Sequence, residues 1–118
     1  MEKLISFFEI PAADFDRAVK FYETVLDTKI ETESCDSEKM GYFPGCEGAI
    51  SFAPGFNPSS DGVLISLKVK SIEQTLAKAK RLGGKTIIPK TAIEAEGRGY
   101  FAVFLDCEGN KIGLHEQD

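Results

Sequence analysis

Two stretches of equal length decide the fold, because they repeat one pattern of strand and helix. The first reads FFEIPAADFDRAVKFYETVLDTKI (residues 7–30), and the second reads LISLKVKSIEQTLAKAKRLGGKTI (residues 64–87). Each opens with an apolar run typical of a strand and continues with apolar residues at steps of three and four, which indicate one face of a helix. A shift of 57 positions brings the predicted helix cap Asp14 onto the predicted cap Ser71.

The first strand of each half is predicted over Leu4–Ile10 and Val63–Val69. Three short strands are predicted after each helix, which gives both halves the order βαβββ. They cover Thr28–Glu33, Met40–Phe43 and Gly48–Ala53 in the first half, and Lys85–Ile88, Tyr100–Leu105 and Lys111–His115 in the second. Residues 54–62, rich in Pro, Gly and Ser, have the composition of a linker. We therefore predict a single α+β domain over residues 1–118, made of module 1 (1–56) and module 2 (62–118).

One such module cannot bury both faces of its sheet, because its helix covers only one. The other face must meet a second module, and the concave surface between them is the natural place for a ligand. With 118 residues, the chain is too short for a TIM barrel. Any sizeable site must therefore come from paired modules within the chain or from a second chain.

Charge and cysteine content narrow the classes of partner and location. The net charge of −5 argues against a nucleic-acid partner, which requires clustered positive charge. No apolar run approaches the length of a membrane span, so we expect no membrane partner. The three cysteines lack C-x-x-C spacing, which favours a reducing compartment. We predict a cytoplasmic protein.

Several residues carry a resemblance to a known family over nearly the whole chain. They are Phe8–Pro11, Asp14–Ala18, Phe21-Tyr22, Val25-Leu26, Gly83-Gly84, Pro89 and, within Phe104–Leu114, the turn Asp-x-Glu-Gly-Asn. The chain resembles the vicinal oxygen chelate superfamily, which includes glyoxalase I, extradiol dioxygenases, and bleomycin- and fosfomycin-resistance proteins. The resemblance implies a mixed, U-shaped sheet enclosing a cleft. It also implies a homodimer in which modules of different chains complete each site.

The same resemblance locates the divalent-metal site of the glyoxalase-type members. Their four ligands are His, Glu or Gln, and the corresponding positions here hold Phe7, Ser51, Leu64 and Gly113. None of these residues replaces a carboxylate or imidazole in a divalent-metal shell. We therefore predict no cofactor, with a divalent metal as the disfavoured alternative.

Glu9 and His115 are the candidate catalytic residues. Each lies two positions beyond one of the replaced ligands, Phe7 and Gly113, and strand alternation directs both to the same inner face. A Glu–His pair there can act as acid and base or hold a metal weakly. The alternatives are a solvated His115 near the C-terminus and a Glu9 paired with a nearby Lys or Arg.

The candidate ligand-binding residues are mostly apolar. Phe43, Phe52 and Tyr100 can line a pocket together with Phe7 and Leu64, although aromatic residues on strands also serve as plain core. Arg98, between two glycines at the expected mouth of the cleft, can clamp an anionic ligand. The alternative for Arg98 is a solvated side chain on a flexible loop. Lys90, after Pro89, can clamp an anionic ligand in the same way, with the same alternative. Asn110 is predicted to be a turn residue that tolerates left-handed geometry.

Three functions remain open. The first is a glyoxalase- or bleomycin-resistance-like protein that binds a small organic ligand in the cleft between modules, without the usual metal. The second is a divergent lyase or isomerase related to lactoylglutathione lyase, or a dioxygenase-like enzyme, that uses Glu9 and His115. The third is a domain that associates with a larger protein, which requires an exposed apolar patch outside the cleft.

Overall fold

The computed structural model describes residues 4–94 and 97–117. The predicted modules also include residues 1–3, 95, 96 and 118, which lie outside the described residues. Module 1 contains β1 (Phe8–Pro11), α1 (Phe15–Val25), β2 (Glu31–Cys35), β3 (Glu38–Tyr42) and β4 (Gly48–Phe52). Module 2 contains β5 (Ile65–Lys68), α2 (Ile72–Arg81), β6 (Lys85–Ala92), β7 (Tyr100–Leu105) and β8 (Lys111–Glu116).

The two modules share one strand order. The sheets are arranged β1-β4-β3-β2 and β5-β8-β7-β6, each with one parallel pair, β1/β4 or β5/β8, and two antiparallel pairs. The predicted fold of two tandem βαβββ modules is therefore confirmed. The sheets stay separate, because no described strand of one is hydrogen-bonded to a strand of the other. The described strands thus form two four-stranded mixed sheets, one in each module.

Both helices begin where the repeated pattern predicts. The side chain of Asp14 accepts a hydrogen bond from the Arg17 amide at 3.2 Å, and that of Ser71 accepts one from the Gln74 amide at 3.2 Å. These bonds satisfy amides that a helix leaves without a partner in its first turn. The α2 helix ends at Arg81, and Gly83, which follows the C-cap Leu82, has a φ of 96°, a conformation that favours glycine.

Three strands have a boundary that differs from the prediction by three residues or more. We predicted Thr28–Glu33, but β2 covers Glu31–Cys35, where it pairs with β3. We predicted the first strand over Leu4–Ile10, but β1 begins only at Phe8, where its pairing with β4 starts. We predicted Lys85–Ile88, but β6 continues to Ala92 through Pro89 with two register irregularities. A proline is compatible with this position because β6 is an edge strand, which does not need every backbone amide for its ladder.

Each helix covers one face of its own sheet, and that face forms the core. Ile10 and Ile50 are paired across β1 and β4 and are buried on the side that α1 covers. Ala102 and Leu114 are paired across β7 and β8 and are buried on the side of α2. Alternation places Glu9, Ser51, Gly113 and His115 on the opposite faces. We call these opposite surfaces the helix-free faces.

The modules contact each other through α1, α2 and the turn over residues 106–110. The Tyr22 hydroxyl donates to Asp106 Oδ2 at 2.6 Å, and both groups are buried. Burial, with Asp106 nearby, raises the pKa of Tyr22 well above its usual value of 10.0. The Glu108 carboxylate accepts from the amides of Ala13 and Asp14 and pairs with Arg17. Thus a carboxylate of module 2 holds the start of α1.

Asn110 has a different role from the one predicted. We expected a turn residue in left-handed geometry, but Gly109 takes that conformation with φ of 90°. Asn110 is buried, and its Nδ2 donates to the carbonyl of Pro11 at 2.8 Å and to Asp106 at 3.0 Å. Its Oδ1 accepts from the Ser59 amide at 3.1 Å. Asn110 therefore joins the two modules and the linker.

The helices α1 and α2 are both short. No helix within the described part of the chain is long and apolar enough to cross a membrane.

Candidate functional site

Glu9 lies on the helix-free face of module 1 and is oriented by a serine. Ser51 Oγ donates to Glu9 Oε1 at 2.7 Å, and the same hydroxyl lies 3.0 Å from Met40 Sδ. Ser51 is buried while Glu9 is exposed, so the bond anchors a solvent-facing carboxylate to a fixed point. Since the partner is a neutral hydroxyl, the alternative of Glu9 paired with a Lys or Arg has no support in the described part of the chain.

His115 lies on the helix-free face of module 2, opposite Phe101 of β7. Its Nε2 is 2.7 Å from the carbonyl oxygen of Arg98. A carbonyl only accepts hydrogen bonds, so Nε2 carries the proton in this arrangement. In the neutral ring Nδ1 is then the acceptor, and it has no partner among residues 4–94 and 97–117. The half-buried ring is therefore oriented with one basic nitrogen available.

Glu9 and His115 stand in different sheets, β1 of module 1 and β8 of module 2. Within the described residues no hydrogen bond or ion pair joins them, and each is held by a neighbour in its own module. Their action as an acid–base pair stays a prediction.

The four positions that resemble metal-ligand positions do not offer a metal shell. Phe7 and Leu64 are apolar and exposed by 40% and 48%. The Ser51 hydroxyl is used by Glu9. At Gly113 any side chain would overlap the Ser66 hydroxyl. These residues do not fit the divalent metal of the glyoxalase-type site.

The rest of the described chain offers no other metal site. No group of three or more His, Cys, Asp or Glu side chains within residues 4–94 and 97–117 is arranged to hold a metal ion.

The predicted aromatic lining residues lie on the wrong side of their sheets for a pocket on the helix-free faces. Phe43 is buried and packs edge-on against Tyr22, with ring centroids 5.6 Å apart. Phe52 follows Ser51 directly, so alternation turns it toward the helix side. Tyr100 pairs with Glu116 rather than His115 and is also part of the core periphery. The physical reason is that successive side chains of a strand point to opposite faces of the sheet, which turns these residues toward the helix side.

The cationic candidates differ in availability. Lys90 Nζ lies 3.1 Å from Glu116 and 4.5 Å from the Tyr100 ring centroid, so its charge is already engaged. Glu116 raises the pKa of Lys90. The exposed guanidinium of Arg98 has no partner in the described part of the chain, and its role as an anion clamp stays a prediction.

Sequence reasoning missed that Ser51 orients Glu9. The signal available was a single hydroxyl in the otherwise apolar strand Gly48–Phe52, facing the strand that carries Glu9. Parallel pairing of β1 with β4 brings these residues together, and that pairing could be inferred only from the whole module.

Two βαβββ modules in tandem, each with its helix on one face, define the class of protein. The family model described as Glyoxalase/Bleomycin resistance protein/Dioxygenase superfamily matches residues 4–114. The chain belongs to this superfamily.

Solved structures support the same fold at low sequence identity. A glyoxylase/bleomycin resistance protein/dioxygenase domain from Frankia sp. EAN1pec has a TM-score of 0.74 at 17% identity, over 100% of both chains. The fosfomycin resistance protein FosX from Listeria monocytogenes, complexed with Mn(II) and sulfate, has a TM-score of 0.71 at 18% identity, over 100% of this chain and 93% of that one.

A larger relative shows the same likeness over part of its length. A V278E mutant of glyoxalase I from Zea mays has a TM-score of 0.70 at 18% identity, over 93% of this chain and 45% of the maize chain. No curated protein matches this chain.

Proposed function

We propose that this protein binds a small organic ligand on its helix-free faces, without the divalent metal usual in glyoxalase-type members. The observation that carries the proposal is the replacement of metal ligands by apolar side chains beside oriented polar groups. Phe7 and Leu64 are exposed at equivalent positions of the two modules, and Phe7 lies two residues before Glu9. His115 lies on β8, where it pairs with Lys68 of β5. Ligand sites combine apolar walls with a few fixed polar groups in this way.

The polar groups set the chemistry of the ligand. The Glu9 carboxylate, fixed by Ser51, accepts from a ligand hydroxyl or amine. The Nδ1 atom of neutral His115 accepts a second hydrogen bond. Arg98 offers a charge for an anionic substituent. A compact, mainly apolar molecule with one or two hydroxyl or amine groups fits this set.

The site also supports the proposal that the protein is a homodimer. Next to Phe7 and Leu64, the side chains of Leu4, Ile5 and Val63 are exposed by 99%, 69% and 90%. Large exposed apolar residues that are contiguous mark surfaces that a partner covers. We propose a second copy of this chain as that partner, since a single chain leaves these residues in water.

Sedimentation velocity tests the dimer. Val63→Asp should shift the protein to a monomer, because it would bury an unpaired charge in the interface. Ile87→Asp is the matched control, because Ile87 is also exposed (42%) but lies on the edge strand β6. A wild-type protein that stays monomeric at high micromolar concentration would contradict the dimer.

A ligand screen by NMR on chelator-treated protein tests the binding function. Glu9→Gln should weaken a hit about tenfold, the usual effect of losing one charge-assisted hydrogen bond. Glu38→Gln, on β3, is the control for a general change in charge. Stoichiometric zinc or nickel in purified protein, together with loss of ligand binding after its removal, would refute the metal-free proposal.

The alternative is a lyase or isomerase, favoured by the available Nδ1 atom of His115. In this function one of the two candidate groups takes a proton from a carbon beside a carbonyl and returns it to the neighbouring position. Turnover of the methylglyoxal–glutathione adduct by chelator-treated protein, abolished in His115→Ala and Glu9→Gln, would establish it. Absence of turnover with retained ligand binding favours the binding function.

A further inference from the structure

A crevice between the two modules forms a second candidate site. Its volume is about 570 Å³, and it is lined by residues 25–28 and 43, 44 and 46 of module 1 and by residues 67–71, 74, 75 and 78 of module 2. Glu9, Ser51 and His115 do not line it. The crevice lies beside β5, which is an edge strand. Side chains from both faces of this strand therefore line the crevice.

The charge of the crevice is opposite to that of the chain. Lys68, Lys70 and Lys78 line it with one acidic residue, Asp27, although the whole chain carries a net charge of −5. Within the described ranges none of these three lysines takes part in an ion pair. Three ammonium groups around one concave surface repel each other, and a bound anion relieves that repulsion.

The positive charge comes from the side chains and not from the start of α2. The Glu116 carboxylate accepts from the Ile72 amide at 2.8 Å, and the Ser71 hydroxyl accepts from the Gln74 amide at 3.2 Å. Two first-turn amides of α2, those of Ile72 and Gln74, are therefore already engaged by the protein itself. The lysines are left as the available donors.

The walls of the crevice are apolar. Leu26, Leu67 and Val69 are half-buried, which leaves part of each side chain facing the opening. The Val69 amide donates to the His115 carbonyl at 2.9 Å, toward β8. Because alternate residues of a strand direct their amides to opposite edges, the Lys68 amide points to the free edge. The crevice thus offers an apolar wall beside ammonium groups and a backbone donor.

We propose that this crevice binds an organic phosphate monoester with an apolar body. Three lysines against one aspartate give a net charge of about +2, which matches the dianion that a phosphate monoester forms near pH 7. Lysine binds phosphate as a point charge, with no requirement for a planar, bidentate geometry. The apolar body packs against Leu26, Leu67 and Val69. Since both modules line the crevice, bound ligand links them.

Titration with phenyl phosphate, followed by calorimetry and by NMR, tests the proposal. We expect saturable binding, weaker with rising salt, and amide shifts at Val69 and Gln74. The double variant Lys70→Gln/Lys78→Gln should bind about 100-fold more weakly, roughly tenfold for each lysine. Lys80→Gln/Lys85→Gln removes the same charge outside the crevice and should keep binding within about threefold. Urea denaturation of both variants verifies that they are folded.

Several outcomes would overturn the proposal. They are the absence of saturable binding, equal losses in the two double variants, or inorganic phosphate binding as tightly as phenyl phosphate. Benzoate binding more tightly than phenyl phosphate would assign the crevice to carboxylates and also overturn it. Glu9→Gln lies outside the crevice, so failure here and failure of the ligand site on the helix-free faces are separable.

Discussion

Removing one buried hydroxyl tests how the modules are held together. In Tyr22→Phe, the Asp106 carboxylate loses its 2.6 Å donor and keeps Asn110 Nδ2 as the one described donor to Oδ2. Asp106 is only 3% exposed, so water does not replace the lost bond easily. A hydrogen bond to a charged group contributes about 1.5–3 kcal/mol, so we expect a loss of about 2 kcal/mol in the free energy of unfolding.

Urea denaturation followed by circular dichroism measures this loss. For a domain of this size, about 2 kcal/mol corresponds to a midpoint roughly 1 M lower and a Tm about 8 °C lower. The matched control is Tyr42→Phe, because the Tyr42 hydroxyl donates to Glu33 at 2.8 Å on the surface. There water replaces the lost donor, and we expect a change of less than about 0.5 kcal/mol. Equal losses in the two variants would refute the reasoning.

The same residue predicts a dependence of stability on pH. Burial and Asp106 hold the pKa of folded Tyr22 well above 10.0, whereas the unfolded chain ionises near that value. The folded state therefore keeps a proton that the unfolded state loses. Its stabilising effect is complete below pH 10 and is lost as pH rises toward the folded pKa. We expect the stability difference between wild type and Tyr22→Phe to shrink above about pH 10.

Two further predictions concern packing and thiol reactivity. Gly41→Ala should lower the free energy of unfolding by about 1–3 kcal/mol in urea denaturation, because the new Cβ would lie 3.0 Å from Ile30 Cγ2. The control is Gly62→Ala, whose Cβ would meet nothing within 4 Å and which should be near neutral. Equal effects of the two substitutions would contradict this prediction. Burial raises the pKa of Cys107 to about 12. Iodoacetamide at pH 8 should therefore alkylate Cys107 far more slowly than the exposed Cys35, as measured by mass spectrometry. Comparable alkylation rates would be inconsistent with the burial of Cys107.

Secondary-structure elements were predicted well where they depend mainly on their own residues. The caps Asp14 and Ser71 and the strand Tyr100–Leu105 lie where the sequence places them, because a helix start or a strongly apolar strand depends mainly on its own residues. Boundaries that depend on a partner strand were less accurate. The start of β1 is set by pairing with β4, and the extension of β6 past Pro89 is set by pairing with β7.

The sequence predicts on which face of its sheet each candidate residue lies, but not which neighbouring groups that residue contacts. Strand alternation places Glu9 and His115 on the helix-free faces of the two modules, and that they share one inner face stays a prediction. It could not show that Ser51 orients the carboxylate or that the Arg98 carbonyl fixes the imidazole, since both depend on contacts distant in sequence. The buried role of Asn110 was missed for the same reason.

The two modules differ in how their helix starts are held. Glu108, from module 2, holds the start of α1, whereas the start of α2 is held by Glu116 of its own module. The Glu47 side chain, counterpart of Glu108 in the repeated Cys-Glu-Gly tripeptide, is exposed and has no partner among the described residues. Each module carries its own cap residue, Asp14 or Ser71, but only α1 is also held by a carboxylate of the other module. A change at Glu108 therefore reaches the helix of module 1, whereas a change at Glu116 acts on the helix of its own module.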